Sequence, residues 1–461
     1  MNIFKLLSGK IFLLSIVTIL VSCNNRQTQK AIDKYGNNVK SKEVVGNQTA
    51  KSDSSVNYSY YLPESYNGKE ALPVIIFLDP HANGSLPLKN YATLADKYGY
   101  IFIGSNNIRN GLSGNYTQST FNTLLTEVSK RFNIDKNRIF TAGFSGGAKL
   151  AIIFAQQNPQ IIGVAACGGS IPINTDRQPN FYYAGIVGNE DFNYLEVSQL
   201  FTVFDNAGFD YTSVIFNGGH EWPPVSSFEP AIIGFEIFLI KSNRKTKDTE
   251  WVDAVWQKMN DSIKVLKENN DIVKENICIS QTSRWFYGLK NTKELKKRSY
   301  ELMRSQEFYN RIKHRQSLIQ KEVLLRSEFI KAIETKDIEW WENEITRIHK
   351  TSQNSDKDIA HVSKRLLNYL SMVSYMFTKS DLDENKLTSV QKKLKIYELV
   401  DPENPDVYLM YARYYMLSDM NQEMINSFKK AQNLGFNDYD TYKKDPSWNK
   451  LFENEEVKKL Y

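Results

Sequence analysis

A chain of 461 residues, 41% hydrophobic and 24% charged, is long enough to bury two or three domain cores and has the composition of a globular protein. Its net charge of +6 is small for this length and is gathered into no basic stripe, which argues against nucleic-acid binding. Cys23, Cys167 and Cys278 have neither metal-ligand nor redox spacing, and the last two read as buried free thiols.

Residues 1–22 read as a lipoprotein signal peptide. Lys5 and Lys10 give a positive start, and the apolar run 11–21 is too short to span a bilayer comfortably. The run ends in Leu20-Val21-Ser22-Cys23, which resembles a bacterial lipobox; an ordinary signal peptide or an anchor helix are the alternatives. A lipidated Cys23 would hold the protein in the bacterial cell envelope, on the periplasmic or cell-surface side, and two or three acyl chains make such an anchor stable. Residues 23–55, polar and poor in apolar side chains, read as a flexible tether.

From 56 to 243 strand and helix signals alternate. Residues 57–62 form a strand with Tyr58, Tyr60 and Leu62 on one face, and 73–78 is a continuous apolar run, as a buried parallel strand should be. A helix over 88–98, a strand over 100–105 and an amphipathic helix over 118–132 follow. The strand 138–144 leads into a helix from 148, and further strands are expected at 161–166, 182–187 and 211–216, with a closing helix at 225–240. This alternation predicts an α/β domain built on a doubly wound, mostly parallel sheet.

Residues 246–461 differ. Gly288 and Gly435 are the only glycines, and no proline occurs between Pro230 and Pro402, so long helices are permitted. Val252, Val255, Met259, Ile263 and Leu266 form one apolar stripe. Near 390–440, Tyr408, Ala412, Tyr415, Phe428 and Ala431 fall at tetratricopeptide spacings, although Met424 stands where a small residue is usual. An all-α, TPR-like region is expected, offering a surface to a protein partner or packing on the α/β domain.

The chemistry centres on Gly143-Phe144-Ser145-Gly146-Gly147. A Gly-x-Ser-x-Gly between a strand and a helix is the nucleophile elbow of the α/β-hydrolases, with glycines where side chains would collide. In that fold the serine is followed by an acid and then a histidine. His220 is the only histidine of the α/β segment after Ser145, in a glycine-rich loop just beyond a strand, and is the expected general base. Asp191, directly after another strand in Gly188-Asn-Glu-Asp, is preferred over Glu190 as the acid that orients it. The oxyanion donors are expected from the Gly146 N–H and from His81 or Ala82 in Asp79-Pro-His-Ala-Asn-Gly, since Pro80 has no N–H. Phe144, His81 and Trp222 are candidates to line the substrate site.

Ser145 in Gly-Phe-Ser-Gly-Gly-Ala, Asp191 in Gly-x-x-Asp, and Gly219-His220-Glu-Trp222-Pro223 together resemble the feruloyl esterase and polyhydroxybutyrate depolymerase-like branch of the α/β-hydrolases, related to dienelactone hydrolase. The resemblance covers roughly 56–242 and implies a serine esterase with no metal and no organic cofactor. The oxyanion loop departs from the branch, which usually carries His-Gly and more glycines. The intervals from Ser145 to Asp191 and on to His220 hold their strands and helices and little else, so no lid is inserted and an open site suited to a polymer or glycan ester is expected. A peptidase of the same fold, or an interaction protein whose helical region binds a partner, are the competing readings.

Overall fold

The computed structural model describes residues 31–177, 179–443 and 445–460. The expected signal peptide, Cys23 and the first part of the tether lie outside these residues. The elements of the first half, in chain order, are β1 (Ala31–Ile32), β2 (Asn38–Val39), β3 (Val44–Ala50), β4 (Asp53–Tyr61), β5 (Leu72–Leu78), α1 (Ser85–Tyr98), β6 (Ile101–Ser105), α2 (Gly114–Arg131), β7 (Ile134–Phe144), α3 (Gly146–Gln157), β8 (Ile161–Cys167), β9 (Tyr182–Gly188), α4 (Tyr194–Ala207), β10 (Tyr211–Phe216) and α5 (Val225–Lys241).

Eight of these strands form one sheet in the order β3-β4-β6-β5-β7-β8-β9-β10. β4 runs antiparallel to both of its neighbours, and every other pairing is parallel. This is the doubly wound, mostly parallel sheet that the sequence predicts. β5 and β8, near its centre, are apolar throughout because helices cover both faces. In β5, Val74, Ile76 and Leu78 point into a core shared with α2, α3 and α4, while Ile75 and Phe77 point into a second core closed by α1 and α5. The chain leaves β5 for β6 on one side and then crosses to β7 on the other. The β5–β7 junction is therefore a topological switch point, where the loops after two adjacent parallel strands splay apart and leave a crevice.

The tether expectation needs correction. Residues 44–55 are not loose chain: β3 and the start of β4 form an antiparallel hairpin at the sheet edge, with register shifts along β3, and β1 pairs with β2 just before it. An edge strand exposed on one side carries polar residues, and so reads like a linker.

The second half is helical: α6 (Thr249–Glu268), α7 (Ile272–Phe286), α8 (Lys293–Met303), α9 (Gln306–Thr335), α10 (Ile338–Ser352), α11 (Lys357–Asp383), α12 (Leu387–Val400), α13 (Pro405–Leu417) and α14 (Asn421–Asn433), then short helical turns to residue 458. Tyr408, Ala412, Phe428 and Ala431 are buried where α13 packs on α14, and Met424 is buried with them. The halves share a core. Ile233, Ile237 and Ile240 of α5 pack with Val252 and Val255 of α6 and with Trp285 and Phe286 of α7. Gln281 of α7 also serves the open edge of β10, accepting from the Ser213 N–H (3.0 Å) and donating to the Tyr211 carbonyl (3.2 Å). Among the described residues no helix is long and apolar enough to cross a membrane.

Candidate active site

The elbow is built by close approach. A Cβ on Gly143 would sit 2.2 Å from the Gly147 carbonyl oxygen, and one on Gly147 would sit 2.1 Å from that of Leu78. Only glycines let α3 start this near to β5 and β7. Ser145 takes φ 54° and ψ −119°, a conformation that costs a side-chain-bearing residue on the order of 1–3 kcal/mol. The surrounding structure holds it there: the Ser145 N–H donates to the Cys167 carbonyl at 2.8 Å. Cys167 itself is fully buried, which pushes its thiol well above the ordinary range and leaves it an inert wall of the site.

Ser145, His220 and Asp191 come together from three strand ends. His220 Nε2 lies 2.9 Å from Ser145 Oγ, and His220 Nδ1 lies 2.9 Å from Asp191 Oδ1. Asp191 is fully buried, and the same Oδ1 accepts the Asn193 N–H at 2.7 Å, while Oδ2 has no partner among the described residues. Glu190, the other carboxylate of the loop, turns away to Lys364 Nζ at 2.8 Å. The imidazole is flanked by the rings of Phe144 and Phe192, with centroids 4.6 and 4.1 Å away.

Gly146 is the first residue of α3, and its N–H has no partner among the described residues, so the positive end of the helix dipole faces the space beside Ser145. The other expected donors are engaged. The His81 N–H donates to Asp79 Oδ1 at 2.9 Å and the Ala82 N–H to the Asp79 carbonyl at 3.1 Å. Asp79 is the cause: as a buried carboxylate at the end of β5 it gathers the amides of its own loop, and Ala82 accepts φ 61° to complete the turn. The polar group that does lie against Gly146 is the Asn110 carboxamide, whose Oδ1 a Cβ on Gly146 would meet at 1.9 Å.

Phe144 and Trp222, expected to line the substrate site, lie beside the imidazole. Phe144 is buried against the imidazole, and the half-buried Trp222 lies tilted against Phe144 at 5.6 Å while donating its indole N–H to Asp79 Oδ2 at 2.9 Å. His81 is exposed at the mouth and bridges to Arg109. Sequence reasoning missed Asp79, Asn110 and Phe192. Asp79 alone had a visible signal, an acid directly after an apolar strand.

No protein-family model matches the chain, and no curated protein sequence does. Among solved structures, an S-formylglutathione hydrolase from Staphylococcus aureus overlaps 43% of this chain and 98% of its own, at 15% identity and a TM-score of 0.36. A ferulic acid esterase overlaps 42% and 95%, at 18% identity and 0.34. An esterase from Pyrobaculum calidifontis overlaps 44% and 87%, at 13% identity and 0.35. Among the described residues no group of His, Cys, Asp and Glu side chains could hold a metal ion.

Proposed function

We propose that the chain is a serine hydrolase that cleaves carboxylic esters through an acyl-enzyme. One observation carries this reading: a serine on a strained strand-to-helix elbow, hydrogen-bonded to a histidine that is hydrogen-bonded to a buried aspartate. Ser145 Oγ attacks the ester carbonyl carbon as its proton passes to His220 Nε2. Asp191 accepts the Nδ1–H and stabilises the imidazolium that forms. The oxyanion takes the Gly146 N–H at the start of α3, and the second donor in this reading is Asn110 Nδ2–H, whose nitrogen lies 3.4 Å from where a Gly146 Cβ would stand. The tetrahedral adduct collapses, the C–O bond to the alcohol breaks, and His220 protonates the leaving oxygen. Water then attacks the acyl-enzyme with the same proton traffic, releasing the carboxylic acid and Ser145.

The absence of an inserted lid between β7 and β10 favours esters of a polymer or glycan over a small enclosed molecule. The lipobox-like Leu20-Val21-Ser22-Cys23 supports a lipid-anchored enzyme in the bacterial cell envelope, acting outside the cytoplasm. The test is turnover by the purified chain of a panel of p-nitrophenyl esters and of chromogenic peptides, with Ser145→Ala as control. Ester turnover that Ser145→Ala abolishes supports the reading. Peptide turnover without ester turnover would replace it with a peptidase.

A further inference from the structure

The loop that carries Asp191 is held by the helical half of the molecule. Arg365 of α11 donates Nη1–H to the Asn189 carbonyl at 2.8 Å. Asn368, one turn further along α11, donates Nδ2–H to the Glu190 carbonyl at 2.8 Å. Arg326 of α9 donates Nη1–H to the Phe192 carbonyl at 2.8 Å. These three carbonyls bracket Asp191 on both sides, and each donor comes from more than a hundred residues further along the chain. His361 and Lys364 of α11 add contacts to the side chains of Asn189 (3.1 Å) and Glu190 (2.8 Å).

The two arginines are themselves fixed. Glu322 of α9 is fully buried and accepts from Arg365 Nε and Nη2, at 3.0 and 2.6 Å to its Oε2, and from Arg326 Nη2 at 2.6 Å to its Oε1. The Arg365 guanidinium also lies over the Tyr194 ring, 4.3 Å from its centroid. A buried cluster of one carboxylate and two guanidiniums is a poor source of stability, because desolvation offsets the attraction. It is a good source of geometry, because planar guanidiniums fix the direction of several hydrogen bonds at once.

Geometry is what Asp191 lacks on its own account. One of its oxygens has no partner, and the other is shared between His220 and the Asn193 N–H. The direction of the carboxylate therefore follows the backbone of residues 189–192. The same loop is joined to the histidine loop: Asn189 donates to Asn217 Oδ1 (3.1 Å) and accepts from the Gly218 N–H (3.3 Å), and the Glu190 N–H donates to the Gly218 carbonyl (3.0 Å). Asn368 also lies beside Gly219, with Nδ2 3.8 Å from where a Cβ would stand.

We infer that Arg365, locked by Glu322, and Asn368 are positioning residues for Asp191 and His220, so that the helical half completes the catalytic site of the α/β half. The inference rests on the serine-hydrolase reading above. A positioning role predicts loss of kcat with KM held, since the donors meet no substrate.

The experiment uses the full chain. Asn368→Leu, which keeps the shape and removes the donor, and Arg365→Lys are compared with Asn368→Gln, which keeps an amide donor, and with Trp285→Phe. Trp285 belongs to the same interface between the halves but lies at β9 and β10, donating to Tyr182 Oη at 3.0 Å. For a p-nitrophenyl ester, Asn368→Leu and Arg365→Lys should lower kcat about 10- to 100-fold with KM within about twofold. Asn368→Gln should recover part of the loss, and Trp285→Phe should keep the wild-type kcat while melting at lower temperature. Should Arg365→Lys fail to fold, Asn368→Leu on the half-buried face of α11 decides. A reactive wild type whose folded Asn368→Leu variant turns over at the wild-type rate overturns the positioning role and leaves the hydrolase reading standing. A kcat loss in Trp285→Phe equal to that in Asn368→Leu overturns it too. A wild type inert towards every ester overturns both.

Discussion

Ser145 sits in a backbone conformation that its side chain disfavours, and the residues around it show what keeps it there. The contacts under Gly143 and Gly147 are backbone atoms, which cannot move aside. Gly147→Ala is therefore expected to destabilise the fold by on the order of 1–3 kcal/mol or more, read as a lowered midpoint in urea unfolding. Gly146→Ala meets only the Asn110 side chain, so it should fold while disturbing the oxyanion side of the site. If the Asn110 carboxamide receives the oxyanion, Asn110→Ala lowers kcat by about 10²–10³ with the melting temperature unchanged; an unchanged kcat would assign the second donor elsewhere. Asp191→Asn keeps the shape of the acid but favours the wrong imidazole tautomer, and should lower kcat by about 10⁴. The hydrogen-bonded cluster of Ser145, His220 and Asp191 was legible in the sequence because each member stands just after an apolar strand and histidine is scarce. The engagement of the His81 and Ala82 amides was not, because where an amide points depends on the turn around it. The Asp79 carboxylate draws the His81 and Ala82 amides into its own loop, and Asn110 reaches Gly146 from the segment after β6.

Among the elements, the mostly parallel sheet and the helical second half follow from periodicity, since buried parallel strands and amphipathic helices leave clear patterns, whereas the strand order does not. The β3–β4 hairpin does not follow. Its outer edge meets solvent, and Asn47 at φ 51° marks an irregular strand that composition alone assigns to a linker. The clamp on the acid loop was equally illegible, because Arg365 and Asn368 read as ordinary polar positions on a helix. The clamp has an acid-sensitive member. Burial lowers the His361 imidazole below its ordinary value of 6.5, opposed by the carboxylates of Glu190 and Asp358 and assisted by Arg365 and Lys364. A depressed pKa means that the folded state resists protonation, so the stability His361 supports is intact above about pH 6.5 and is lost as pH falls below it. Protonation would also turn its acceptor nitrogen into a donor facing the Asn189 amide. His361→Gln, which keeps an acceptor, should narrow the difference in melting temperature between pH 7 and pH 5.5 relative to wild type; an unchanged difference would remove His361 from the account.

At the scale of the whole molecule, the two halves are one folded object rather than an α/β domain with an appendage. Deleting 246–461 would bare Ile233, Ile237 and Ile240 on α5, leave the edge of β10 without Gln281, and release the carbonyls around Asp191. The isolated α/β half is expected to aggregate on size-exclusion chromatography. A monodisperse and fully active fragment would contradict both the shared core and the clamp. If Cys23 carries the anchor, Cys23→Ala should move the protein from the membrane to the soluble fraction of cells without changing its turnover of esters.

The central claim is that Ser145 is a nucleophile activated by His220. Its most direct measurement is the reaction of the intact chain with a fluorophosphonate probe, followed by digestion and mass analysis of the modified peptide. A single adduct on Ser145, slowed severely in His220→Ala and absent in Ser145→Ala, is the predicted result. An adduct on another residue, or no adduct where a known serine hydrolase reacts under the same conditions, would contradict it.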